Sequence, residues 1–397
     1  MKGSVLVGQS GGPTSVINAS LAGVIKEALK HEEITHVYGA VNGLAGILNE
    51  NIVEFTNDTD LDLLSTTPAA ALGSVRFKLI NDTTEDVYED IRQVFLKYDI
   101  KYFFYIGGND SMDTCNKIAD YFKLIEMDVK VIGIPKTIDN DLVITDHTPG
   151  YGSACKYVAT TLTEIYQDTH VYSKGRVTIV EIMGRDAGWL TASSSLAKIN
   201  GEGPDLIYLP ESPFSIEQFI KDVDRLYKEK QKVIVCVSEG IKDKYNEYIL
   251  KYRTFSNSDN FGHLQLGGVA EVLAEIVNRR LAYPVRAIEL NLPQRCASHL
   301  ASKTDYTEAM KCGEYGVKYA LKGYTDVMIT MERVSNYKIR YGVTSLDAVA
   351  NFVKEFPKEW IINGNDISND YIEYALPLIK GEIKPRFKDG LPVHFKL

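Results

Sequence analysis

The fold of this chain is decided by residues 132–141, which read IGIPKTIDND. The apolar run at 129–134 is typical of a buried strand, and Pro135 ends it in a loop with one cation and two acids. Open α/β sheets bind ligands at the carboxyl ends of their strands. Asp139 and Asp141 are so close that both can be ionised only if a cation, a metal or donor groups lie between them. The loop is either a functional site or an ordinary turn rich in Asp and Asn.

A second loop of the same kind lies at residues 101–111, KYFFYIGGNDS, where an aromatic strand ends at two glycines and leads into a helical pattern. Glycine lets a phosphate approach the backbone, and the free amides at a helix start attract anions. Asp110 would repel a bare phosphate, but it is suitable if a divalent cation lies between the two. We also expect Asp110 to cap the helix, in addition to a role with the metal. Two such loops favour a functional site over a turn.

A third glycine loop, residues 8–14 (GQSGGPT), separates a short strand at 4–7 from a helix that starts at about residue 15. Strand, glycine loop and helix together form a phosphate cradle, although tight turns between strand and helix also use glycine for geometry alone. The spacing matches neither the dinucleotide fingerprint nor the P-loop, which disfavours a dehydrogenase or a Walker-type enzyme.

Two later strands also end in polar residues. The strand at 176–183 is followed by GRDAGW at 184–189, and the strand at 232–238 leads to Glu239. Arginine at both ends of the first strand suits a site for two phosphate groups, because guanidinium binds phosphate oxygens bidentately. Glu239 can accept hydrogen bonds from sugar hydroxyls, but a single acid of this kind is more often a solvated loop residue.

The composition is that of an ordinary soluble globular protein. The 397 residues suffice for two or three domains, and 45% are hydrophobic and 24% charged. A net charge of -9 argues against a nucleic-acid partner. We find neither an apolar run of membrane-spanning length nor the features of a signal peptide at the start of the sequence. The five cysteines are odd in number and lack paired or metal-type spacing, so we expect reduced thiols and a cytoplasmic protein.

Three segments now carry a resemblance to a known family. GGNDS at 107–111, PKTIDND at 135–141 and MGR at 183–185, in this order, are similar to the phosphofructokinases. Within that family the chain resembles the pyrophosphate-dependent branch, because ATP-using members usually have glycine where Asp110 and Lys136 stand. In the family, Asp110 would fill the space that a nucleotide α-phosphate needs, and Lys136 would supply a charge suited to inorganic phosphate.

The resemblance implies an α/β fold of two Rossmann-like domains, each with a mainly parallel sheet flanked by helices, and an active site in the cleft between them. Residues 1–150 with about 294–345 would form the pyrophosphate-side domain. Residues from about 151 to 293 would form the sugar-phosphate domain, with an insertion at 255–285. Residues from about 346 to 397 would be a C-terminal segment packed on the second domain.

The implied reaction is reversible phosphoryl transfer in glycolysis from pyrophosphate to the 1-hydroxyl of fructose 6-phosphate, with Mg²⁺ as cofactor. Asp139 would be the general base, and Lys136, Thr137 and Arg185 would complete the catalytic group. Asp110 would bind the metal and, with Lys136, select the donor. The implied substrate-binding residues are Gly12, Arg76, Asp141, Arg176, Met183, Gly184, Glu239, Arg286 and Arg295. A solvent-exposed charge is the alternative role for Arg76.

The sugar-phosphate register depends on a choice between two segments. Residues 261–268, FGHLQLGG, mimic the family pattern Gly-His-x-Gln-Arg-Gly-Gly, but Leu266 replaces the arginine. Residues 285–295 also end in Gln-Arg, and this register aligns the helix that follows and places Arg286 at the family's intersubunit position. In this register the histidine of the family pattern is missing, because Leu292 stands in its place. We therefore assign sugar-phosphate binding to Arg286 and Arg295.

Two arginines predict that the protein forms an oligomer. Arg176 and Arg286 match residues that reach into a neighbouring subunit's site, which implies a homodimer or homotetramer with shared active sites. The rival functions are an ATP-dependent phosphofructokinase and a catalytically silent, phosphate-sensing binding protein of the same fold. The intact Asp139 argues against the silent protein.

Overall fold

A computed structural model describes residues 1–75, 77–252, 268–335 and 337–397. Its α-helices are α1 (Ile17–Ala28), α2 (Gly43–Leu48), α3 (Leu61–Thr66), α4 (Asp86–Lys97), α5 (Asn109–Leu124), α6 (Tyr151–His170), α7 (Trp189–Ala192), α8 (Ile216–Lys230), α9 (Val269–Leu281), α10 (Lys303–Leu321) and α11 (Asn369–Ala375). Short 3-10 helices lie at Ser193–Asn200, Ile249–Tyr252, Leu292–Arg295, Ser298–Leu300, Lys358–Trp360 and Leu376–Ile379.

The strands are β1 (Gly3–Gln9), β2 (Ile34–Ala40), β3 (Ile52–Phe55), β4 (Ile100–Gly107), β5 (Lys130–Pro135), β6 (Arg176–Ile182), β7 (Leu206–Tyr208), β8 (Lys232–Ser238), β9 (Val285–Glu289), β10 (Val327–Ser335), β11 (Lys338–Ser345), β12 (Ile361–Ile362), β13 (Asp366–Ile367), β14 (Phe387–Lys388) and β15 (Leu391–Pro392). Two sheets built from β1 to β11 form the body of the protein.

The first sheet has seven strands in the order β11-β10-β5-β4-β1-β2-β3. Its pairs are parallel except at the two edges, where β11 and β3 run antiparallel to their neighbours. Every residue of β1 is buried, because helices cover both faces. Val5 and Val7 pack with α1 and α10 on one face, and Leu6 packs with α4 and α5 on the other.

The second sheet has four parallel strands in the order β7-β8-β6-β9. Val177 and Ile179 of β6 face α8 and α9, whereas Val180 and Ile182 face α6. Val285, the last residue of the predicted insertion, pairs with Val177. Residues 268–285 of that insertion are therefore built into this sheet through α9 and the start of β9, and residues 255–267 lie outside the described residues.

The C-terminal segment, from about residue 346, packs into the core beside the second sheet. Phe356 and Tyr371 are buried in one cluster with Tyr151 and Trp189, beside the second sheet. The rings of Trp189 and Phe356 meet edge to face at 5.1 Å, a favoured aromatic arrangement. The segment thus contributes core residues that the sequence motifs did not indicate.

The predicted fold class is confirmed, since two mostly parallel sheets are each flanked by helices. None of the helices in the described ranges is long and apolar enough to cross a membrane. All five cysteines are free thiols.

Candidate active site

Three predicted loops meet at one edge of the first sheet, because β1, β4 and β5 are neighbours and parallel. Gly107 pairs with Pro135 at the ends of β4 and β5. The Lys136 N–H donates to the Gly107 carbonyl at 3.0 Å, and the Ser10 N–H donates to the Ile106 carbonyl at 2.9 Å. The three loops therefore lie side by side at this edge.

The Lys136 side chain runs beneath the first glycine loop. Its Nζ donates to the Gly12 carbonyl oxygen at 2.6 Å, and the residue is only 2% exposed. A Cβ at Gly11 would lie 3.3 Å from the same nitrogen, and Gly11 has φ of +75°. Glycine is required here both for the left-handed backbone and for the close approach of the cation. The ammonium group thus places a positive charge directly under the glycine loop.

Asp139 lies at the floor of the cleft between the two sheets. Part of its surface is exposed to solvent, but protein atoms surround its carboxylate. Its N–H donates to Thr137 Oγ1 at 3.1 Å, and that hydroxyl lies 3.5 Å from Asp139 Oδ2. Burial raises the pKa of Asp139, and the positive charges of Arg185, Lys136 and Arg295 act in the opposite direction. A carboxylate held between cations with a raised pKa is well suited to accept a proton.

Asp141 has a buried atom that lacks a partner in the described structure. Its Oδ1 accepts no hydrogen bond. Burial and then the charge of Asp139 raise its pKa from 3.8 to about 6. A buried, unsatisfied carboxylate oxygen costs free energy unless a ligand completes it. Asp141 therefore marks a position for a metal ion, a water molecule or a substrate hydroxyl.

The second sheet contributes Arg185 and Gly184 directly after β6. Arg185 Nε donates to Asp186 Oδ2 at 2.7 Å, while the arginine charge also acts on Asp139. Gly184 has φ of +140°, and a Cβ there would lie 2.8 Å from the Ala187 carbonyl oxygen. Only glycine fits this turn, which brings Arg185 to the cleft.

Glu239 follows β8 and is linked to the same turn. Its Oε1 accepts from the Gly184 N–H at 3.3 Å. Burial raises its pKa to about 7, the Gly184 hydrogen bond lowers it, and the charge of Asp139 raises it further. Glu239 is therefore a partly enclosed acid near the catalytic carboxylate, not the solvated loop acid of the alternative reading.

The Leu292–Arg295 turn joins the two sides of the cleft. Gln294 is buried, and its Oε1 accepts from the Met183 N–H at 3.1 Å. Arg295 Nη1 would lie 3.2 Å from a Cβ built on Gly12, so this guanidinium faces the first glycine loop. Residues from both sheets thus converge on Asp139.

Arg176 and Arg286 lie elsewhere in this protomer. Arg176 begins β6, and Arg286 pairs with Thr178 two residues further along. Seven residues of strand place Arg176 about 20 Å from the end of β6 where the cleft lies. The Arg176 guanidinium stacks over the Tyr172 ring at 5.2 Å, and Arg286 lies 3.8 Å from an Asp168 carboxylate oxygen. Neither arginine joins the Asp139 group within one chain.

Asp110 is exposed in the first turn of α5. The N-cap of α5 is Gly108, and no side chain forms a cap hydrogen bond there, so Asp110 does not cap the helix. Among the residues described, no group of three or more His, Cys, Asp or Glu side chains could hold a metal. Mg²⁺ usually needs only one or two carboxylates together with substrate phosphates. Asp110 and the unsatisfied Oδ1 of Asp141 fit that requirement.

Two predicted features cannot be placed. Arg76 lies outside the described residues, as do residues 261–267 of the rejected FGHLQLGG register. Sequence reasoning in turn missed Lys354 and Tyr374, which contact the catalytic loop from the C-terminal segment. No motif or spacing in that segment would have indicated them.

The fold and the charged cleft place the chain among α/β proteins that bind phosphate groups at the carboxyl ends of parallel strands. A family model described as Phosphofructokinase matches residues 4–291. The pyrophosphate--fructose 6-phosphate 1-phosphotransferase of Rhodospirillum rubrum is 38% identical over 387 residues, covering 95% of this chain and 94% of the relative. The enzyme of the same name from Xanthomonas campestris is 39% identical, with 100% and 96% covered.

A solved structure gives the same result. The chain superimposes on the pyrophosphate-dependent phosphofructokinase of Nitrosospira multiformis with a TM-score of 0.89 and 37% identity, covering 99% of this chain and 96% of that one. This chain belongs to the phosphofructokinase family.

Proposed function

We propose that the protein transfers a phosphoryl group from pyrophosphate to the 1-hydroxyl of fructose 6-phosphate, giving fructose 1,6-bisphosphate and phosphate. The observation that carries this proposal is the buried Lys136 ammonium, held against the Gly12 carbonyl next to Asp139. Similarity over nearly the full length to relatives named for this reaction supports it.

The donor side consists of the glycine loop, Lys136 and Asp110. Lys136 is a compact charge that suits the oxygens of inorganic pyrophosphate. Asp110 presents a carboxylate where the family's ATP-using members usually have glycine, so it would exclude a nucleotide α-phosphate by size and charge. An ATP-dependent phosphofructokinase is the alternative, and these two side chains disfavour it.

Asp139 accepts the proton of the sugar 1-hydroxyl as that oxygen attacks the phosphorus atom. The role requires a carboxylate that is ionised at neutral pH yet more basic than a solvated one, which matches the opposing effects of burial and neighbouring cations. Thr137 orients this carboxylate, and Arg185 and Lys136 stabilise the negative charge that spreads over the transferring oxygens. The intact base is also the reason to prefer an enzyme to a silent binding protein.

Mg²⁺ would neutralise charge on the phosphoryl oxygens when bound. Asp110 is the proposed ligand, with Asp141 in support of either the metal or the sugar. The chain's own contribution would be these two carboxylates, Asp110 after β4 and Asp141 after β5.

The sugar phosphate lies on the side of the second sheet, against Met183, Gly184, Glu239 and Arg295. Arg176 and Arg286 would complete the site of a neighbouring subunit in a homodimer or homotetramer. Along their strands, Arg176 lies about 20 Å and Arg286 about 13 Å from the end of β6 where their own cleft lies. Arg76 is proposed to bind the donor.

The strand composition of the two sheets supports a division into two proposed domains. Residues 1–150 with about 294–345 form the donor side and residues from about 151 to 293 the sugar side, with the segment after about residue 346 packed on the latter. We further propose a cytoplasmic, glycolytic role. Because a phosphoanhydride is exchanged for a phosphate ester, the reaction should run close to equilibrium.

The test is a set of initial rates with fructose 6-phosphate and Mg²⁺, with pyrophosphate or ATP as the donor. Turnover with pyrophosphate alone supports the proposal. Turnover with ATP alone would overturn the donor assignment, and absence of turnover with both would overturn the reaction.

A further inference from the structure

Asn140, between the two aspartates of the catalytic loop, is completely buried and has φ of +53°. A left-handed backbone is uncommon for a residue with a side chain, although Asn tolerates it better than most. This conformation turns the chain between Asp139 and Asp141 and therefore sets the direction of both carboxylates. Whatever holds Asn140 in place also holds the reacting groups.

The C-terminal segment holds the Asn140 amide from both sides. Asn140 Nδ2 donates to the Tyr374 hydroxyl oxygen at 3.0 Å, and Asn140 Oδ1 accepts from Lys354 Nζ at 3.3 Å. The Tyr374 hydroxyl in turn donates to the Asp146 carbonyl at 2.8 Å. Two residues more than 200 positions away in the sequence thus satisfy one buried side chain.

Lys354 is fixed at both its backbone and its side chain. Its N–H donates to the Asp141 carbonyl at 2.7 Å. Its Nζ also donates to the carbonyls of Thr145 at 3.2 Å and Asp146 at 2.9 Å, so all three ammonium hydrogens are used within residues 140–146. The same nitrogen lies 5.1 Å above the Trp189 ring.

Opposing effects act on the pKa of Lys354. Burial lowers its pKa to about 8, while the carboxylates of Asp146 and Asp141 act in the opposite direction. Asp146 is itself paired with Arg333 at 3.0 Å and with the His147 ring at 2.7 Å. A buried cation with this many directed contacts is better suited to fix a loop than to contribute surface charge.

We infer that Lys354 and Tyr374 are positioning residues: they hold Asn140, and through it the carboxylates of Asp139 and Asp141, in the geometry that phosphoryl transfer requires. The inference rests on the proposed function. Neither side chain needs to touch substrate, because a displacement of about 1 Å in a catalytic group can cost about 100-fold in rate.

The kinetic test compares Lys354→Met, Lys354→Arg and Tyr374→Phe. Lys358→Met is the matched control, because Lys358 is an exposed lysine of the same segment. We expect kcat to fall at least tenfold in Lys354→Met while KM for fructose 6-phosphate stays within threefold, because Met183, Glu239 and Arg295, which are proposed to bind the sugar phosphate, are on other elements. Lys354→Arg should recover part of kcat, Tyr374→Phe should lose three- to tenfold, and the control should match the wild type.

Hydrogen exchange tests the positioning role without a measurement of enzyme turnover. Amide hydrogen exchange over residues 137–147 should quicken at least tenfold in Lys354→Met and Tyr374→Phe, with β6 and β8 unchanged. If the wild type does not turn over pyrophosphate and fructose 6-phosphate, the proposed function fails while this readout still decides the positioning role. Unchanged exchange, kcat within twofold of the wild type, or an activity loss equal to the loss of native near-UV circular dichroism would each overturn the inference.

Discussion

Asp141→Asn should make the protein more stable in the absence of ligands. The Asp141 carboxyl has a pKa raised from 3.8 to about 6, mainly by burial, and its Oδ1 has no hydrogen-bond partner in the described structure. A carboxyl whose folded pKa exceeds its unfolded value destabilises the fold at any pH where it is ionised. A rise of about 2 units corresponds to about 3 kcal/mol at pH 7.5. Because part of the side chain reaches solvent, we expect about 1.5–3 kcal/mol.

The measurement is the free energy of unfolding in urea, with EDTA present to remove divalent ions, for the wild type and Asp141→Asn. The pH dependence follows from the sign of the shift: the destabilisation is full above the folded pKa and is lost as the carboxyl protonates below it. The advantage of Asp141→Asn should therefore fall to about half between pH 7.5 and pH 5. Asp58→Asn, at an exposed carboxyl, is the control and should show no difference at either pH.

An advantage for Asp141→Asn that is absent at pH 7.5, or that grows toward pH 5, would refute the reasoning. Either result would mean that the Asp141 carboxylate is already compensated in the free protein. The same variant should lose activity, since the atom that costs stability is the one proposed to meet the metal or the sugar. Such opposition between stability and activity is common at active sites.

Three further predictions concern other parts of the site. Asp139→Ser should lower kcat about 10²- to 10⁴-fold. The dissociation constant for fructose 6-phosphate, measured by calorimetry, should stay within about threefold of the wild-type value, and near-normal turnover would rule out Asp139 as the base. The double variant Asp110→Gly, Lys136→Gly should reduce the rate with pyrophosphate at least about 100-fold and raise the rate with ATP above the wild-type rate, because both donor contacts are removed. An unchanged donor preference in initial rates would contradict the role of these residues in donor selection. Glu211→Ala should lower the free energy of unfolding by about 1–3 kcal/mol. Its Oε1 accepts from the Gly188 and Phe356 N–H groups at 2.8 and 3.0 Å, and loss of its unpaired Oε2 and of the buried charge, whose pKa burial raises, offsets part of that cost. An increase in the free energy of unfolding in urea titration would be incompatible with this estimate.

The meeting of the three glycine and acid loops could be predicted from the sequence. Each motif directly follows an apolar run, and parallel strands bring their carboxyl ends to one edge of a sheet. Gly107, Lys136 and Gly12 are accordingly in contact. Helix limits are harder to predict: α4 starts only at Asp86, because the Asp82 carboxylate accepts from the Thr84 N–H and hydroxyl and holds a turn there.

The C-terminal support of the loop could not be predicted. Lys354 and Tyr374 make contacts across more than 200 residues of sequence, and such contacts leave no local periodicity. The same two partners hydrogen-bond to the side chain of Asn140, whose backbone is left-handed with φ of +53°. Arg176 and Arg286 do not reach the cleft of their own chain, and their role in a neighbouring subunit's site stays a prediction.

The strand order of the first sheet has a consequence for synthesis in the cell. β10 pairs with β5, yet it is translated only after every strand of the second sheet. Until the ribosome has passed β10, the nascent chain therefore exposes one edge of β5 with unpaired backbone groups, a template for pairing with other chains. Ribosomes that stall in the second sheet would release aggregation-prone fragments, and the yield of soluble enzyme would depend on chaperones that cover this edge.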